Sequence, residues 1–113
     1  MSLQQKVSGY LLPEQREKKF RGSTMMEILL ERGLMGRSLH KDSEIVKRWI
    51  ESPSTYPQEF RGKKLALWKS ANIDDEVPFV PCLVWRFERV VVEDIWLGDI
   101  WCDQKLNAVV EAA

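Results

Sequence analysis

Few residues in this chain have the identity and spacing that covalent chemistry demands. The single histidine, His40, has no serine or cysteine beside it in a nucleophile setting, and acid–base catalysis needs a base, a nucleophile and a group that orients them. It reads as a polar loop residue. The two cysteines, Cys82 and Cys102, lack the Cys-x-x-Cys spacing of a redox or zinc site. Cys82 falls in a strand expected to be buried, where a thiol behaves as a small hydrophobe. Cys102 is expected to be the more accessible thiol, with Asp99 and Asp103 disfavouring its thiolate. The acidic run Asp74, Asp75, Glu76 lacks the alternating ligands and central glycine of a calcium loop. No catalytic residue, metal ligand or cofactor-binding residue is assigned, and no cofactor is expected.

Binding chemistry has more material. Five tryptophans are present, two of them in a repeated tripeptide, Asp94-Ile95-Trp96 and Asp99-Ile100-Trp101. Gly98 breaks the strand between them, so one ring is expected in the core and the other partly exposed. Trp101, with Trp68 or Trp85, would then offer a stacking platform for a base or a sugar ring. Arg61, Lys63 and Lys64 form a basic group, and Arg16, Lys18, Lys19 and Arg21 a second. Together these residues, chiefly Trp68, Trp101, Arg61, Lys63 and Lys64, sketch a site for single-stranded nucleic acid or a glycan. The competing use of the same rings is to fill a small core, which is what most large aromatics do. Around residues 25–35, MMEILLERGLM carries more apolar side chains than one helix face requires: Met25, Met26, Leu30, Leu34 and Met35. Methionine-rich surfaces adapt to partners. The leading expectation is therefore a non-enzymatic interaction module that docks on another protein or on a second copy through Met25, Met26, Leu30 and Met35; nucleic-acid or glycan binding is the alternative.

These groups must be positioned by a core, and its centre is VPFVPCLVWRFERVVVEDIWL, Val77 to Leu97. Phe79, Pro81, Leu83, Trp85 and Phe87 share one face of an extended chain, Val80, Cys82 and Val84 the other, so both faces are apolar and both need covering. Pro81 removes a ladder donor and suits an edge, a bulge or a strand start. The connection Arg86 to Arg89 lacks the Gly or Asn of a standard two-residue hairpin. Upstream, Thr24 and Glu27 match a capping box, and Gly33 offers a left-handed stop, predicting a helix over Met25–Arg32. A second helix is expected over Glu44–Glu51, with Ile45 and Trp49 inward, joined by Val46 and Ile50, and Pro53 beyond its end. KKLALWK, Lys63–Lys69, reads as the first strand and Lys105–Val110 as the last. Two N-terminal helices followed by a four-stranded antiparallel β-meander, an α+β domain, is the simplest architecture.

The order YPQEFRGKKLALW, then VPCL, a strand, and a late tryptophan before a last short strand resembles the C-terminal half of a group of small uncharacterised bacterial proteins. The resemblance covers about residues 56–110 and implies a helix ending near a proline, then strands in this order. No functional residue carries over from it, and the glycine-rich hairpin of that pattern is missing here.

At 113 residues the chain suits one domain. Residues 1–22, mostly polar, are expected as a flexible or partner-dependent arm and residues 23–113 as the domain. Lys plus Arg and Asp plus Glu balance at seventeen each, but unevenly. Residues 1–70 hold fourteen basic and eight acidic side chains, net +6, and residues 71–113 hold three and nine, net −6. The acidic half is expected to repel an anionic ligand drawn to the basic one. The N-terminus has no charged region leading into an apolar one, and no apolar run approaches membrane-spanning length, so a soluble cytoplasmic protein is expected.

Overall fold

The structure is a computed structural model and describes residues 7–11, 13, 15, 20–74, 76–101 and 105–110. It is a mixed α+β fold. In chain order the elements are β1 (Val7–Tyr10), β2 (Phe20–Arg21), α1 (Gly22–Glu31), α2 (Glu44–Glu51), β3 (Lys64–Ala66), β4 (Phe79–Arg86), β5 (Arg89–Trp96), β6 (Ile100–Trp101) and β7 (Lys105–Val110).

The predicted four-stranded meander is corrected to a five-stranded sheet of order β1-β7-β3-β4-β5, with β2 and β6 forming a separate two-stranded ribbon. Strand β7 lies antiparallel to β1 but parallel to β3. Burial explains the insertion. Lys105, Leu106, Asn107 and Ala108 are all buried, and a strand covered on both faces belongs inside a sheet rather than at its edge. The parallel pairing needs a long crossover, which the chain between β3 and β7 supplies. The first strand is also shorter than KKLALWK suggests: it ends at Ala66, the Leu67 amide donates to the Pro81 carbonyl at 2.9 Å, and Trp68–Ser70 form a 3₁₀ turn. Within residues 1–22, expected as an arm, Val7–Tyr10 is a half-buried strand on β7.

The two apolar faces of β4 are covered as their composition demands. On one face Leu65, Leu67, Leu83, Val90, Leu106 and Ala108 pack with Val46 and Trp49 of α2 and with Tyr56 and Phe60. On the other, Ala66, Trp68, Val80, Cys82 and Ile95 pack with Met25 and Leu29 of α1 and with Trp101. Ile45 is partly buried and Ile50 is exposed, so the inward stripe of α2 is Val46 and Trp49.

Helix α1 begins earlier than the capping box predicts. No side chain caps it; the Gly22 and Ser23 amides donate instead to the carbonyls of Asp99 (3.1 Å) and Leu97 (3.0 Å). A Cβ at position 22 would lie 3.0 Å from the Leu97 oxygen and from the Trp101 ring, so a larger residue there would have to push this docking apart by a few tenths of an ångström. Gly33, at φ 69°, ends the helix as expected. No helix among the described residues is long and apolar enough to cross a membrane.

Candidate functional site

At the end of the sheet where β3 and β7 begin and β4 turns into β5, an open recess of about 250 Å³ is lined by Arg61, Gly62, Lys63, Lys64, Val84, Trp85 and Lys105. Its walls are built from the core outward. Tyr56 and Phe60 are buried beneath the 3₁₀ turn Gln58–Phe60, and the Lys63 amide donates to the Phe60 carbonyl at 3.0 Å, so the Arg61–Lys63 turn is pinned from below. The Tyr56 carbonyl accepts from Arg61 Nε at 3.2 Å and from Nη2 at 2.9 Å. The guanidinium carbon lies 4.2 Å from the centre of the Trp85 ring, a cation–π geometry. Trp85 in turn lies parallel to Tyr56, centroids 6.0 Å apart and planes 6° apart. A stack of buried Tyr56 and half-buried Trp85 thus holds an arginine at the mouth of the recess.

Lys64 and Lys105 stand side by side in the parallel register of β3 and β7. Lys105 is 8% exposed. Its ammonium donates to the Ile100 carbonyl, lies 3.5 Å from Asp99 Oδ2 and sits 4.4 Å from the centre of the Trp101 ring. Asp99 is held below its ordinary carboxylate range, first by the Ile100 amide donating to its Oδ1 at 2.9 Å and then by Lys105. Lys64 Nζ is 3.5 Å from Glu93 Oε1, and the other oxygen of Glu93 bridges to Arg86. Through Glu93 the recess therefore continues onto the β4–β5 hairpin. The Lys63 ammonium makes no ion pair among the described residues.

The hairpin tip breaks three local rules in four residues. Phe87 and Glu88 form a two-residue turn with φ of 51° and 59°, a left-handed pair that normally needs Asn-Gly because a Cβ is crowded there. Arg86 stands directly opposite Arg89, a like-charge pair that costs stability. The Phe87 ring is 97% exposed. The recess and hairpin together gather Arg61, Lys63, Lys64, Arg86, Arg89 and Lys105, with Glu88 in the turn, Glu93 on β5 and Asp99 beside Lys105 as nearby acids. Arg86, Arg89 and Lys105 are all the basic residues of the acidic half, residues 71–113.

Of the residues expected to bind a ligand, Arg61, Lys63 and Lys64 are brought together. Trp68 and Trp101 are not surface platforms: they are 1% and 0% exposed, with centroids 5.4 Å apart. Both rings fill the space between α1 and the sheet, and Trp68 Nε1 donates to Asn107 Oδ1 at 2.7 Å. The exposed ring of the repeated tripeptide is Trp96, at 53%. The expected partner-binding set is divided. Met25 is fully buried, Met26 and Met35 are half-buried against the same core, and only Leu30, 57% exposed, faces outward. Arg16, Lys18, Lys19, Asp75, Cys102 and Asp103 lie outside the described residues; Arg21 is exposed between β2 and α1.

The remaining chemical candidates do not converge. His40 Nδ1 accepts from the Asp42 amide at 3.0 Å in an exposed loop. Cys82 is buried, and burial first of all pushes its thiol up to about 12. No group of three His, Cys, Asp or Glu among the described residues is placed to hold a metal. Sequence reasoning missed Arg86, Arg89, Lys105 and Phe87; the one available signal was the non-glycine hairpin FE between two arginines. No family model, curated protein or solved structure matches this chain.

Proposed function

We propose that this protein is a binding domain, without catalytic chemistry of its own, that takes an anionic ligand at the basic end of its sheet. The carrying observation is a recess lined by Arg61, Lys63, Lys64 and Lys105, with Arg86 tied to Lys64 through Glu93 and Arg89 opposite Arg86 on the adjoining hairpin. Clustered cations in a concavity raise the local anion concentration, and local rules are most often broken where function requires it. The Arg61 guanidinium is pre-positioned by Tyr56 and Trp85, so less side-chain freedom is lost when an anion arrives. A ligand that binds only the folded state raises the unfolding temperature. Inorganic pyrophosphate at low ionic strength is expected to raise Tm, and to lose that effect in Lys63→Gln/Lys64→Gln. No shift with the parent protein, or an equal shift with the variant, would contradict the reading.

A second reading keeps the expected protein interaction but moves it from the methionines to β5. This strand is the edge of the five-stranded sheet, and Val92 and Trp96 on one of its faces are 44% and 53% exposed. An edge strand is a template for pairing with a second copy of the chain. Native mass spectrometry tests this: a homodimer that dissociates in Trp96→Lys supports it, and a monomer across the concentration range removes it.

A further inference from the structure

Resting on the anion-binding reading, we infer that the ligand is single-stranded nucleic acid, with a backbone phosphate in the recess and an unstacked base on the ring of Phe87. Two features point past a simple anion. The first is an aromatic ring that is 97% exposed, held out on a turn whose two residues both take the left-handed conformation. Such strain persists where the surrounding structure enforces it and clusters at ligand contacts. The second is that this ring is on the same hairpin as Arg86, whose carboxylate partner Glu93 also contacts Lys64 of the recess. A basic recess and an exposed ring at one end of the sheet match the alternation of a polynucleotide, in which charged linkages alternate with flat bases.

Other anions use less of this surface. An acidic peptide without aromatic residues supplies carboxylates but no flat ring for Phe87. Duplex nucleic acid keeps its bases stacked inside, where an exposed ring on a two-residue tip cannot meet a base face without unstacking a step. Trp85 is flanked by Tyr56 and Arg61 and serves to hold Arg61. Phe87 is thus the ring left for a base at this end of the sheet, Trp96 lying at the far end of β5.

The test is fluorescence anisotropy of a labelled oligothymidylate at low and high salt, beside calorimetric titration with pyrophosphate. The parent is expected to bind the oligonucleotide with an affinity that falls as salt rises. Phe87→Ala, a change at a fully exposed side chain, is expected to weaken that binding roughly fivefold or more while leaving pyrophosphate binding unchanged. Lys63→Gln/Lys64→Gln is expected to weaken both. If both ligands bind but Phe87→Ala leaves the oligonucleotide unaffected, the nucleic-acid inference fails and the anion site stands. Polyglutamate binding as tightly as the oligonucleotide overturns the inference in the same way. If neither pyrophosphate nor oligonucleotide binds, both readings fall together.

Discussion

At the scale of single residues the clearest consequence concerns Cys82. Its thiol is pushed from 9.0 up to about 12, by burial first, with Lys105 and Lys64 opposing and Glu93 and Asp94 adding to the rise. The unfolded chain therefore releases this proton first. Between about pH 9 and about pH 12 the unfolded state binds fewer protons than the folded one, so stability falls as pH rises through that window. Two outcomes follow, both measured in a Cys102→Ser background. At pH 8 an aromatic disulfide reagent reacts with native Cys82 orders of magnitude more slowly than with the denatured chain. Cys82→Ala gives a shallower loss of stability with alkaline pH in denaturant titrations; the buried Tyr56 hydroxyl, also raised chiefly by burial, keeps part of the slope. Rapid native labelling, or identical alkaline slopes, would contradict the placement of this thiol. The burial of Cys82 was legible from the two-sided apolar pattern of its strand. The site residues were only half legible. Arg61, Lys63 and Lys64 are neighbours in sequence, whereas Arg86, Arg89 and Lys105 join them only through the pairing of β3 with β4 and β7.

Among the elements, the β4–β5 hairpin decides most. Its two strands, joined by eight residue pairs between Phe79–Arg86 and Arg89–Trp96, were legible in the period-2 pattern of Val77–Leu97, but their register was not. Its turn was not legible, because Phe-Glu is a poor sequence for two left-handed residues; the register on either side imposes the conformation. Replacing Phe87-Glu88 by Asn-Gly is expected to stabilise the protein by about 1 kcal/mol or more and to weaken oligonucleotide binding as far as Phe87→Ala does. Chemical denaturation and anisotropy on the same sample check the pair of effects. A variant that is less stable, or equally stable and fully active, would remove the argument from strain. Helix α1 gives a complementary lesson. Its apolar stripe and Gly33 stop were readable, but its start was set by the Leu97 and Asp99 carbonyls, a contact between distant parts of the chain that no capping pattern reports.

For the whole molecule, the α+β class and the last strand, Lys105–Val110, were readable from local pattern, while strand order was not. Placing β7 between β1 and β3 depends on its burial on both faces and on a polar network: Asn107 donates to the Tyr10 carbonyl at 3.0 Å and to Gln15 Oε1 at 2.9 Å, and Gln15 donates to the Lys105 carbonyl at 2.8 Å. These partners lie at opposite ends of the chain. The same long-range arrangement resolves the charge asymmetry. Glu93 of the acidic half pairs with Lys64 of the basic half as well as with Arg86, Asp99 pairs with Lys105, and Lys105 is the cation of the acidic half that lines the recess. The most direct measurement is a map of amide chemical-shift changes on titration with pyrophosphate, using the isotopically labelled full chain at low salt. The largest changes are expected at Gly62, Lys63 and Lys64 and from Arg86 to Arg89, with α1 unaffected. Changes centred on α1 or on the outer edge of β5, or none at all, would contradict the basic end of the sheet as the binding site.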